Sequence, residues 1–400
     1  MHAHGPVRVA VRRLPSRSSL LLALAAGAFW WLVLADSVLW FHTFPRPPIP
    51  ADFQPYFGAA RIGLEHGWSH IYNLALQRIE FYRVNPPTRV FDAQSIFVTP
   101  PPMAWIIAPL AATLPYSVAY WVFVTVLAIA YAAAGWSLTP GSPVARAAIV
   151  LAGATTYPVL ICLGMGQVAL LVGVAMVVSW ALLRRGHWVA AGLVLSALVL
   201  KPQVAYLVPL ALIAWGAWRP AAVAAASAAL IAVAAVISLG STGMSEFSQA
   251  ISIENHNLDN QIWTPAIFFG PGAAAYAVEA AAAVAALVIA FLARRRSDPG
   301  TAIVAGLVGS LVAAPYHHGA DSFCLVAAFW IALSLKPSRL LAVWLGLGAV
   351  AAFLEPPTGP RPLLVFAMGW LLIQLYTEIR ESTAARQAAG VVPEPEPSPA

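Results

Sequence analysis

Lys201 stands in the run Leu200-Lys201-Pro202-Gln203, between two apolar stretches too short to be ordinary membrane helices. A lysine at membrane depth costs about 2.5 to 3.5 kcal/mol on insertion scales, so it is retained where an anion or a water-filled cavity meets it. Two adjacent imidazoles, His317 and His318, follow Tyr316 in a second polar interruption that begins at Pro315. Cations and imidazoles suit a phosphate. Gln167 lies in Gly164-Met165-Gly166-Gln167, Gln203 follows Pro202, and the stretch 240–272 holds Asn257, Asn260, Gln261 and Trp263. Amides and tryptophan suit sugar hydroxyls and a sugar face. Asp52, in the stretch 42–100, adds a carboxylate, with Asp36 as its competitor inside the first apolar run. A lipid-phosphate-linked sugar satisfies this set of groups.

The elements that position these residues are membrane helices. Of 400 residues 60% are apolar and only 10% charged, with a mean hydropathy of +0.77; a soluble domain carries about 25% charged residues. Apolar runs fall at 20–41, 101–114, 116–138, 144–163, 166–183, 188–200, 203–218, 220–239, 273–293, 301–315, 321–335, 338–354 and 362–378. The first follows Arg8, Arg12, Arg13 and Arg17 but is too long, and too aromatic at Phe29, Trp30 and Trp31, for a cleaved signal; it is expected to be an uncleaved span. With 101–114 re-entrant or short, the remaining runs make an all-α polytopic protein of about 12 transmembrane helices. Most of the 22 Lys and Arg then fall on one side, which the positive-inside rule makes cytoplasmic together with both termini. The polar interruptions collect on the opposite face. Several flanking runs are shorter than the roughly 20 residues a crossing needs, so their outer ends stop within the membrane and line a cavity.

Within the first outer loop, Tyr56, Phe57, Ala60 and Leu64 share a helical face, and a second such stretch runs from 72 to 83; both read as helices lying in the interface and roofing the cavity. The net charge of +6 forms no patch with interleaved aromatics, so no nucleic-acid partner is expected. Cys162 and Cys324 have no spacing that signals a disulfide framework or a zinc site. There is no Walker A loop and no GxGxxG after a strand.

The succession Asp52-Phe53-Gln54-Pro55-Tyr56, Thr99-Pro100-Pro101 with Pro109-Leu110, Gly166-Gln167, Gly192 through Lys201-Pro202, Asn260-Gln261-Ile262-Trp263 and Tyr316-His317-His318 resembles glycosyltransferase family 87. That family comprises polyprenyl-phosphate-mannose-dependent mannosyltransferases of the membrane-embedded GT-C fold. The resemblance covers about residues 20 to 335 and departs at Thr99, Ala169 and Gly319, where the family often carries Tyr, Asn and Trp.

The resemblance implies an inverting transfer of a sugar, expected to be mannose, from a polyprenyl-phosphate donor to a lipid or glycan acceptor. Asp52 matches the position of the family's catalytic carboxylate. Lys201 with His317 or His318 is expected to bind the donor phosphate; Gln167, Gln203, Asn260, Gln261, Trp263 and Tyr316 are expected around sugar and acceptor. No nucleotide, metal or other cofactor is expected. The resulting picture is one membrane-embedded domain over 1–380 and a disordered cytoplasmic tail over 381–400, in a monomer of the bacterial inner membrane whose site faces the periplasm. Two other classes compete. A lipid or glycan transporter should show internal repeats with matching broken segments, and a polymerase or ligase of lipid-linked glycans should favour arginines for pyrophosphate.

Overall fold

The computed structural model describes residues 52–139, 141–255 and 262–390. The expected first span at 20–41 with Asp36, the residues Asn257, Asn260 and Gln261, and the last ten residues lie outside the described residues. All regular elements among the described residues are helical.

Four helices are long and apolar enough to cross a membrane: Tyr116–Leu138, Trp218–Asn255, Ala273–Ala293 and Arg361–Ala385. A fifth crossing is available if Pro143–Ala154 and Tyr157–Met165, bent by 69° at their junction, count as one. Pro102–Thr113, Ala169–Arg184, Trp188–Leu200, Gly300–Ala313, Gly319–Ser334 and Arg339–Leu354 are apolar but shorter. At 1.5 Å per residue, a 14-residue helix such as Gly300–Ala313 reaches only about 21 Å, against about 30 Å of hydrocarbon. Among the described residues the full crossings therefore do not reach the expected count of about 12. The reason is visible at the helix ends: Pro143, Pro158 and Pro202 each sit in a first turn, where a missing N–H costs nothing. Gly166 and Gly216 end their helices in the left-handed region.

Helix Gly300–Ala313 is the centre of the bundle, with every residue buried. Small residues allow this. A Cβ on Gly306 would lie 2.7 Å from Val208 Cα, and one on Gly309 would lie 2.5 Å from Ala286 Cβ. Ser310 Oγ accepts the Leu207 N–H at 3.0 Å, satisfying an amide at the start of helix Leu207–Trp215 that has no partner within its own helix.

Three local expectations need correction. Helix Phe53–His66 forms where expected, but it is buried on nearly all faces over its first three turns, packing on Pro102–Thr113 and against Tyr116, Tyr120 and Phe123, so it is part of the protein core and not a helix with one face free. The stretch expected to be loop from 240 is helical as far as Asn255, because Gly240 (φ 58°) kinks the chain and the helix resumes. Residues 381–390, expected to be disordered, continue helix Arg361–Gly390, where Arg296 pairs with Glu378 and Glu381 at 2.7 and 2.8 Å and Arg295 bonds Ser382. Cys162 and Cys324 are buried free thiols.

Candidate functional site

The site is built around an interrupted helix. From Trp188 the chain winds as an α-helix to Leu195, tightens into 3-10 turns over Ser196–Leu200, and stops at Lys201 in an extended conformation (φ −155°, ψ 78°). Pro202 opens another short 3-10 turn, and the α-helix restarts at Leu207. The break leaves Lys201 with only 7% of its surface exposed, and its ammonium lies 2.6 Å from Asp321 Oδ1. Beyond this ion pair, no further protein partner for the ammonium is found among the described residues. It retains donor capacity for something else.

Asp321 is fixed by its own turn. The His318 N–H donates to Asp321 Oδ2 at 3.0 Å, and the Asp321 N–H donates to the His318 carbonyl at 2.9 Å. The same geometry separates the two histidines. His317 is fully buried, with Nδ1 3.5 Å from Asp321 Oδ2, and it does not reach the cavity. His318 does reach it, its Nε2 3.8 Å from Glu254. Of the two imidazoles expected to share the phosphate, only His318 lines the cavity.

Asp52 occupies the N-cap of helix Phe53–His66, yet its carboxylate makes no capping bond. An aspartate whose role is to start a helix would accept from the second or third amide of the first turn. Here the carboxylate lies beside the side-chain amide of Gln167 instead. The Tyr56 hydroxyl donates to Gln167 Oε1 at 2.8 Å, which orients the amide so that its N–H groups face Asp52. Gln167 is placed by Gly166, whose left-handed turn (φ 67°) lets the Gln167 N–H reach the Cys162 carbonyl at 2.8 Å. A Cβ at Gly166 would lie 2.9 Å from Phe53 Cβ, so the glycine also permits close approach to the residue after Asp52.

These groups share one cavity of about 600 Å³, lined among others by Asp52, Gln167, Lys201, Gln203, Trp263, Tyr316 and His318. Its apolar wall includes Phe247 and Ile251 from the helical turns beyond Gly240, and Glu254 lies one turn further. Tyr157 and Trp263 are parallel within 2°, their ring centroids 6.2 Å apart, and Gly319 lies against them: a Cβ there would come within 2.9 Å of the Trp263 ring. Asn260 and Gln261 lie outside the described residues.

The charges set the chemistry. Burial raises the Asp52 carboxyl above its ordinary range, against opposing pulls from Lys201 and His318. Burial, with Lys201 nearby, lowers the His318 imidazole, so near neutral pH it offers a neutral N–H. A carboxylate raised toward neutrality can accept a proton from a hydroxyl; a lysine and an imidazole across the cavity can meet an anion.

Three residues of the site were not among the sequence candidates: Asp321, Glu254 and Tyr56. Asp321 carried a usable signal, since it stands four residues after His317 at the head of an apolar run, and an intramembrane lysine calls for an opposite charge.

The family model of glycosyltransferase family 87 matches residues 97–315, more than half of the chain. No curated protein and no solved structure matches it.

Proposed function

This chain belongs to glycosyltransferase family 87 and is a multi-pass membrane glycosyltransferase, and from that premise we propose that it moves a sugar, mannose in the first instance, from a polyprenyl-phosphate donor to a lipid or glycan acceptor. Asp52 is the general base. It takes the proton of the acceptor hydroxyl as the oxygen attacks the anomeric carbon opposite the leaving phosphate, so that the configuration inverts. The glycosidic carbon–oxygen bond to phosphate breaks, and the electron pair leaves on the phosphate oxygen. Lys201 and the His318 N–H face the charge that develops there. Gln203, Trp263 and Tyr316 stand around the sugar, and Gln167 holds Asp52 in its attacking orientation.

The single observation that carries this reading is the Asp52 carboxylate, unused as a helix cap and sharing one cavity with Lys201 at a helix break. The lysine also favours a monophosphate. The cavity wall holds one lysine and no arginine among the described residues, whereas a pyrophosphate donor calls for bidentate guanidinium clamps. On this reading the cavity opens to the periplasmic side of a bacterial inner membrane, where lipid-linked donors are presented. The test is the product formed by purified protein from radiolabelled polyprenyl-phosphate-mannose and a membrane lipid extract. Labelled lipid that appears only with active protein supports the proposal, and no transfer from this donor, with transfer from a nucleotide sugar, overturns it.

A further inference from the structure

Two carboxylates compete for one ammonium in this site. Lys201 lies in electrostatic reach of both Asp52 and Asp321, and it is Asp321 that it touches, at 2.6 Å. Asp321 is wholly buried, and its second oxygen already accepts the His318 N–H and faces the His317 ring, so this carboxylate cannot swing away. Asp52 stands on the start of another helix, beside the Gln167 amide that the Tyr56 hydroxyl holds. Because an unpaired buried charge is strongly disfavoured, an ammonium released from Asp321 inside such a cavity would move toward another carboxylate. Of the two that line the cavity, Asp52 and Glu254, Asp52 is the one already in its electrostatic reach.

We propose that Asp321 is a positioning residue: it anchors Lys201 beside the donor phosphate and so keeps the ammonium from collapsing onto Asp52, leaving the base free to take a proton. This rests on the donor and base assignments made above. The titratable groups facing Asp52 are Lys201, His318, Asp321, the Tyr56 hydroxyl and the Cys162 thiol, with the Gln167 amide at its side; those facing Asp321 are Lys201, His317 and His318, with Tyr56, Tyr316 and the two thiols around them. Asp321 contributes no atom to bond making or breaking, so its effect must pass through Lys201.

The test is a double-mutant cycle on the purified full chain, with Asp321→Asn, Lys201→Gln and the double variant, reading affinity for a short-chain polyprenyl phosphate. Asp321→Asn should weaken binding by about tenfold, within the range of coupling between contacting groups. The double variant should bind no worse than Lys201→Gln alone. Tighter binding by Asp321→Asn, as expected if its charge merely repelled the phosphate, or multiplied losses in the double variant, overturns the inference. A second readout is the acid limb of turnover in Asp321→Asn. With Lys201 drawn onto Asp52 the limb should move to lower pH, since a nearby opposite charge favours the ionised carboxylate; a uniform loss with an unmoved limb would assign Asp321 a purely structural role. If Asp321→Asn does not fold, the double variant leaves no lone charge and is compared with Lys201→Gln directly: equal binding supports the inference, and a further tenfold loss overturns it. Wild-type protein that does not bind polyprenyl phosphate would remove the donor assignment and this inference together, whereas binding with multiplied losses removes the inference alone.

Discussion

Replacing Asp52 by Asn separates turnover from donor binding, with opposite signs. The substitution keeps the size of the side chain and leaves Gln167 a polar partner, but it abolishes proton acceptance. Loss of a general base costs about 10² to 10⁴ in rate, or about 2.7 to 5.4 kcal/mol of transition-state stabilisation. Donor binding should move the other way. The Asp52 carboxylate lines the cavity and, unlike Asp321, does not hold the Lys201 ammonium in contact, so an anionic donor gains when the Asp52 charge is removed. A cavity of about 600 Å³ is about 10 Å across if taken as a sphere. At that separation two unit charges interact by about 1.7 kcal/mol at an effective dielectric of 20, so donor affinity should rise by up to about tenfold. The pH profile gives a third sign. The base works only when ionised and burial raises its carboxyl, so wild-type turnover should fall as pH drops through a value above the ordinary carboxylate range of about 4; the Asn variant should show no such limb. Initial rates with radiolabelled donor, measured on monodisperse protein over a range of donor concentrations and pH, read all three. Turnover within tenfold of wild type, or a donor KM that rises as kcat falls, would refute the assignment.

His318→Gln should weaken polyprenyl-phosphate binding with little change in thermal unfolding, whereas His317→Gln, altering a fully buried ring beside Asp321, should lower the unfolding temperature; the reverse pattern would exchange their roles. Gly166→Ala should cost roughly 1 to 3 kcal/mol, because its φ of 67° is unfavourable for alanine and the new methyl would press on Phe53; an unchanged unfolding temperature would contradict the described turn. A cysteine at the exposed Ala75 should react with an impermeant thiol reagent added from outside, while one at the exposed Ser297 should react only after the membrane is opened; the buried native thiols keep the background low, and reversed labelling would invert the proposed topology.

Much of this arrangement is legible in the chain because its signals are local. A lysine followed by proline between short apolar runs announces a broken helix, and the break is found at Lys201. The spacing of Tyr56, Phe57, Ala60 and Leu64 announces a helix, but periodicity does not say what covers the opposite face, and helix Phe53–His66 turns out to be surrounded by other helices. The stretch beyond Gly240 reads as loop because serines and other polar residues interrupt its apolar pattern, yet packing on residues 68–70 and the bond from Asn73 Nδ2 to Glu246 at 2.6 Å support a helix there. Partnerships over long separations are the least legible. Lys201 and Asp321 stand 120 residues apart, and Gln167 and Asp52 stand 115 apart, so spacing along the chain does not announce either pair; only the packing of separate elements brings them together.

The kink at Gly240 has a mechanical consequence. Before it, 218–239 is a rod of roughly 33 Å, matched to the bilayer and obliged to tilt when bilayer thickness changes. After it, the same chain carries Phe247 and Glu254 to the cavity and is pinned at both its flank and its side chain: a Cβ on Gly243 would lie 2.7 Å from the Ser69 carbonyl, and Glu246 holds Asn73. A glycine with open space around its absent Cβ is a joint between the two. The rod can rock to follow hydrophobic mismatch while the wall it leads to stays registered to the rest of the cavity, so the joint insulates the site from the lipid in which the rod is immersed.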